Sequence, residues 1–110
     1  MRAFIVSVNG AMQEQGISAI DLVKKMRAIF GYDAKATRGI VEAYLKGDGL
    51  PSYKTGYMMC RALGLDERRE LAYLFEDRIA MFGQEERASY NEMMKYMNDY
   101  QNSEKTRTRD

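Results

Sequence analysis

The sequence predicts an all-α protein, a bundle of five to six helices, and three observations carry that expectation. Pro51 is the single proline in 110 residues. Methionine, leucine, alanine and charged residues dominate, which favours helices over strands. Glycines at Gly16, Gly31, Gly47, Gly49, Gly64 and Gly83 divide the chain, and between them apolar residues recur at three- and four-residue steps.

The first helix is expected from Ala3 to Gln15, with Phe4, Ile5, Val8 and Met12 on one face. A short strand over Ala3 to Val8 is the competing reading, because β-branched and aromatic residues precede the hairpin signal Asn9-Gly10. The second helix starts after the N-cap Ser18 and carries Ile20, Val23, Met26, Ala28 and Ile29 before Gly31 stops it. Asp33 or Thr37 caps a third, with Ile40, Val41, Tyr44 and Leu45 on one face, closed by Gly47. Residues 48–51 form a turn, and Ser52 opens a fourth helix whose inward residues are Tyr53, Tyr57, Cys60 and Leu63, with Met59 beside them. Asp66 caps a fifth, placing Leu71, Leu74, Phe75, Ile79 and Phe82 on a stripe and Glu67 in the first turn, where the helix dipole favours an anion. A sixth helix is expected from about Gln84 to Tyr100, and residues 102–110 read as a mobile polar tail.

With 45% hydrophobic and 30% charged residues, the chain matches neither a disordered segment nor a membrane protein. No apolar run approaches the roughly 18 residues that span a bilayer. The opening apolar stretch is interrupted at Ser7 and Asn9 and reads as no signal peptide, so the expected compartment is cytoplasmic. Cys60 stands alone and there is no histidine, so no internal disulfide, zinc set or histidine-based triad is expected. Cys60 reads as a small buried apolar residue. The chain is read as no enzyme, and it implies no cofactor.

The segment Gly47-Asp-Gly-Leu-Pro51-Ser52, then Tyr-Lys-Thr-Gly-Tyr-Met-Met-Cys-Arg, then Ala62-Leu63-Gly64-Leu65, resembles the second half of a lambda-repressor or Cro-like (xenobiotic-response-element type) helix-turn-helix domain. Upstream, Met12-Gln-Glu-Gln-Gly-Ile-Ser18 followed by Asp21-Leu22-Val23 is similar to the end of that family's first helix and the start of its second. The likeness spans roughly residues 4–75. It implies a helix-turn-helix core over 1–82, with a C-terminal helix over 83–101 added as a dimerisation or partner surface. The interval from Leu22 to Val41 exceeds the family's usual spacing by about eight residues, with the surplus around Arg27 to Lys35, so an extended second helix or an enlarged turn is expected.

The function implied by the resemblance is sequence-specific binding of double-stranded DNA by a small transcriptional regulator. In such a domain the third helix enters the major groove by its N-terminal part while neighbouring segments touch phosphates. That assigns Thr37, Arg38, Gly39, Glu42 and Ala43 to the groove, with Lys35 assisting, and Lys46, Ser52, Tyr53 and Lys54 to the backbone. Arg38 is the leading candidate, since a guanidinium pairs two acceptors of guanine or clamps a phosphate. Residues 35–61 carry a balance of +3 and residues 66–110 one of −3, which puts positive charge where the resemblance puts DNA.

In the sixth helix Tyr90, Met93, Met97 and Tyr100 recur at heptad steps with Met94 beside them. The stripe packs on the fifth helix through Ile79 and Phe82, or pairs two chains as a homodimer whose recognition helices lie about 34 Å apart. Alternatively it holds another protein, as an interaction module or an antitoxin-type protein would.

Overall fold

The computed structural model describes residues 3–83 and 87–97, and every regular element among them is helical. In chain order these are α1 (Ala3–Gln15), α2 (Ala19–Phe30), a 3-10 turn (Gly31–Asp33), α3 (Arg38–Lys46), α4 (Tyr53–Leu63) and α5 (Glu67–Phe82). Residues 87–97 are helical as well and are called α6 below. The all-α expectation holds, and no described helix is long and apolar enough to cross a membrane. Tyr100 and the tail at 102–110 lie outside the described residues.

The strand alternative for Ala3 to Val8 is not realised. Phe4, Ile5, Val8, Ala11 and Met12 are all buried, a helical spacing that a strand would split between two faces. The amino end of α1 is capped from across the fold: the Phe4 N–H donates to Asp77 Oδ2 of α5 at 3.0 Å. At α2, Ser18 and Asp21 form a reciprocal capping box, Asp21 N–H to Ser18 Oγ at 3.3 Å and Ser18 N–H to Asp21 Oδ2 at 2.9 Å. Thr37, not Asp33, caps α3, accepting from Ile40 N–H at 3.3 Å. Ser52 accepts from Thr55 N–H, Asp66 accepts from Arg68 N–H, and α3 and α4 both end on left-handed glycines, Gly47 and Gly64.

One apolar cluster joins all the helices. Its fully buried members include Phe4, Ile5, Leu22, Met26, Tyr53, Met59, Leu71 and Leu74. α4 is the centre, packing on α1, α2 and α5, while α3 packs only on α1 and α2 among the elements α1 to α5. The closest approach is at Gly56, where a Cβ would stand 2.6 Å from Leu74 Cδ2 and 3.5 Å from Phe4 Cζ.

Several inward assignments are corrected. On α2 the buried stripe is Ala19, Leu22, Val23 and Met26, whereas Ile20, Ala28 and Ile29 face solvent. The stripe is centred one position away from Ile20, because α2 is gripped by α4 on one side and α3 on the other. Ile40 on α3 and Phe82 on α5 are likewise exposed. Tyr57 is half-buried, and Met58 is buried beside Met59.

Between α2 and α3 lie the 3-10 turn and a short linker. α2 runs on to Phe30, and Gly31 then turns the chain at φ 62°, ψ −134°, a conformation essentially confined to glycine. Ala34 and Ala36 are buried and pin the segment to the core before Thr37 restarts a helix.

Candidate nucleic-acid interface

Helix α3 buries Val41 alone. Thr37, Arg38, Gly39 and Ile40 are exposed in succession at its amino end, with Lys35 exposed just before them, and Glu42 and Ala43 are half-buried behind. Thus Lys35, Thr37, Arg38, Gly39 and Glu42 occupy one continuous stretch of surface.

Within it, Arg38 Nε donates to Glu42 Oε1 at 2.9 Å, an i,i+4 pair along the helix, while the Arg38 side chain stays 67% exposed. That hydrogen bond, then the charges of Arg38 and Lys46, hold the Glu42 carboxyl below the usual carboxylate range, while the same bond, then the Glu42 charge, raises the Arg38 guanidinium. Both groups are charged at neutral pH. The pair orients the guanidinium but screens it, so a partner anion must compete with Glu42.

Other assigned residues separate from this stretch. Lys46 lies at the far end of α3, roughly 12 Å along the axis at 1.5 Å per residue. It lines a different cleft, of about 750 Å³, with Ala3, Ile5, Asp77 and Met81. Ser52 uses its hydroxyl to cap α4, and Lys54 is exposed on α4, which does not pack on α3.

Tyr53 lies inward, as its place on the fourth helix predicts, and its assignment to the DNA backbone is corrected. It is fully buried, and a hydrogen bond joins its hydroxyl to that of Ser89 on α6. The guanidinium of Arg78 sits 5.4 Å from the ring centroid and donates to the Pro51 carbonyl at 2.8 Å. No route leads from the Tyr53 hydroxyl to a phosphate, and its role is to tie α6 to α4.

The proposed C-terminal seam is a second correction. Met93 and Met97 are buried in the chain's own core, with Met94 and Tyr96 packed partly against it. Tyr96 meets Tyr57 of α4 at 6.0 Å between ring centroids, and Tyr90 meets Phe75 of α5 edge-on at 6.1 Å. α6 therefore lies over α4 and over α5, the helix on which the intramolecular alternative places the stripe, and Met93 and Met97 are not displayed to a second chain.

Cys60 is fully buried as expected. Burial, then the carboxylates Glu70, Glu67 and Asp66, push its thiol well above the ordinary range, so it stays a thiol.

Residues not singled out from sequence add exposed cations on α2, of which Arg27 shares a cleft with Lys35. Lys24, Lys25 and Arg27 are all exposed on α2, and Tyr32 on the 3-10 turn is fully exposed. The spacing of Lys24 and Arg27, three apart on one helix face, was a readable sign. Compared with protein-family models, curated proteins and solved structures, the chain matches none.

Proposed function

We propose that the protein is a sequence-specific DNA-binding regulator in which the amino half of α3 reads base edges in the major groove. The observation that carries this proposal is the use of α3. A helix capped at both ends, seated on the fold by Val41, and left open over Thr37 to Ile40 has its side chains to spend on a partner. The charge of that partner is set by Lys24, Lys25, Arg27, Lys35 and Arg38, which face Asp33 and Glu42 as the acidic residues of the 24–42 segment. Because Met93 and Met97 are turned inward, the unit of recognition is taken to be one chain on one half-site.

The test is selection of bound sequences from a random duplex pool, followed by titration of the winner at several salt concentrations. A short enriched motif with a salt-dependent affinity is expected. Arg38→Ala should lower affinity roughly 5- to 150-fold and relax the preference at one position, the range for a lost base contact. An enriched pseudo-palindrome would instead show two chains bound side by side.

A protein-interaction module on the same scaffold is the second reading. It is favoured by Ile29, Tyr32 and Ile40, apolar or aromatic side chains exposed on α2, the 3-10 turn and α3. Absence of any enriched duplex would move the assignment there.

A further inference from the structure

The chain between α2 and α3 builds a cleft of about 550 Å³ lined by Arg27, Gly31, Tyr32, Ala34 and Lys35. Its wall holds two cations and no carboxylate, although Asp33 is next in sequence to Tyr32. The Tyr32 side chain is fully exposed on a defined backbone turn: Gly31 takes a positive φ, and the Ala34 N–H donates to the Gly31 carbonyl at 3.2 Å. Buried Ala34 and Ala36 hold the segment immediately after it.

We propose that this cleft is a second DNA contact, a seat for the sugar-phosphate backbone flanking the base pairs read by α3; it rests on the DNA-binding reading above. The lining matches that ligand on two counts. Arg27 and Lys35 supply positive charge for a phosphate, Arg27 able to donate two parallel hydrogen bonds. The Tyr32 ring and Ala34 supply an apolar surface for deoxyribose, and the tyrosine hydroxyl is a further phosphate donor. The cleft joins directly to Thr37 and Arg38 along the chain, so one duplex running past the amino end of α3 meets both.

The experiment uses the full chain and the duplex obtained by selection, flanked by about ten base pairs on each side. Arg27→Gln with Lys35→Gln keeps the side-chain stems on the surface, and unchanged thermal unfolding is the check on the fold. The expected result is a salt slope shallower by about one to two units, the loss of one to two phosphate contacts, with the same selected motif. A hydroxyl-radical footprint should shorten on one flank. Tyr32→Ala should weaken binding several-fold and leave the slope near its original value.

If Arg38→Ala impairs binding but the double variant keeps the original slope and footprint, this inference falls and the α3 reading stands. If the unaltered chain binds no duplex, both fall. Tighter binding of a single strand than of its duplex, abolished by Tyr32→Ala, would replace backbone contact by base stacking and also overturn the proposal.

Discussion

Helices α3 and α4 are punctuated alike and used in opposite ways. Each starts at a hydroxyl cap, Thr37 or Ser52, ends at a left-handed glycine, Gly47 or Gly64, and carries one internal glycine, Gly39 or Gly56. Yet α3 buries Val41 alone, whereas α4 buries Tyr53, Gly56, Met58, Met59, Cys60 and Leu63. Caps and glycines act over three or four residues and decide where a helix begins and ends. Its burden of packing is decided by neighbours: α4 has α1, α2 and α5 around it and α6 across its outer side, while α3 has α1 and α2. The difference frees one helix for a partner and makes the other the keel of the fold.

The strongest way to break this contrast is to detach what covers α4. Met93→Glu puts a carboxylate into an apolar site on α6 and should lower unfolding free energy by about 3 kcal/mol or more at neutral pH. The loss should grow from pH 4 to pH 8. A carboxyl forced to be neutral when buried has a raised folded-state pKa, so stability falls as pH rises past its unfolded value of about 4.3. Urea unfolding at the two pH values measures it, with sedimentation mass alongside. A wild-type mass of two chains that falls to one in the variant, with stability unchanged, would mean that the methionines pack between chains.

A smaller effect is expected at the contact of α4 with α5. Gly56→Ala gains helix propensity of about 1 kcal/mol but drives a methyl to 2.6 Å from Leu74 Cδ2, and Leu74 is itself fully buried. Overpacking of this kind costs about 1 to 3 kcal/mol, so a net loss of up to about 2 kcal/mol should appear as a lower urea midpoint. A higher midpoint would show that Leu74 moves aside without strain.

The same contrast explains which features were legible in the sequence. The bounds of α1 and the caps Ser18, Ser52 and Asp66 could be read, because their signals lie within one helical turn. For the exposed stretch, Lys35, Thr37, Arg38 and Gly39 are singled out only by what the helix-turn-helix resemblance implies, and the fold adds that all four are exposed. The facing of near-equivalent apolar residues could not be read. Ile20 and Leu22 look alike to a periodicity argument, and only the grip of α3 and α4 on α2 decides that Leu22 goes inside. Tyr53 offered a hydroxyl at a helix start, and nothing local indicated that Ser89, thirty-six positions later, would meet it. The methionine stripe of α6 was visible as a stripe, but its partner was not, since an apolar face has no address written in its own residues. Tyr32 was hidden for the converse reason: in a linker its exposure follows from how Gly31, Ala34 and Ala36 fix the turn.

The smallest expected effect is the most informative about α3. At Gly39 a Cβ would meet nothing within 4 Å, so Gly39→Ala should stabilise the fold, by about 0.5 kcal/mol given its place in the first turn. The equivalent change on α4 is expected to destabilise, so the two glycines predict opposite signs from one chemistry. If α3 lies in a groove, the added methyl stands where backbone and DNA come close, and duplex affinity should fall while the urea midpoint rises. Stability and binding moving apart would mean that Gly39 is kept for the approach of a partner and not for the fold. Both rising together would mean that no partner reaches this face of α3, and that the open amino half of the helix is merely solvated.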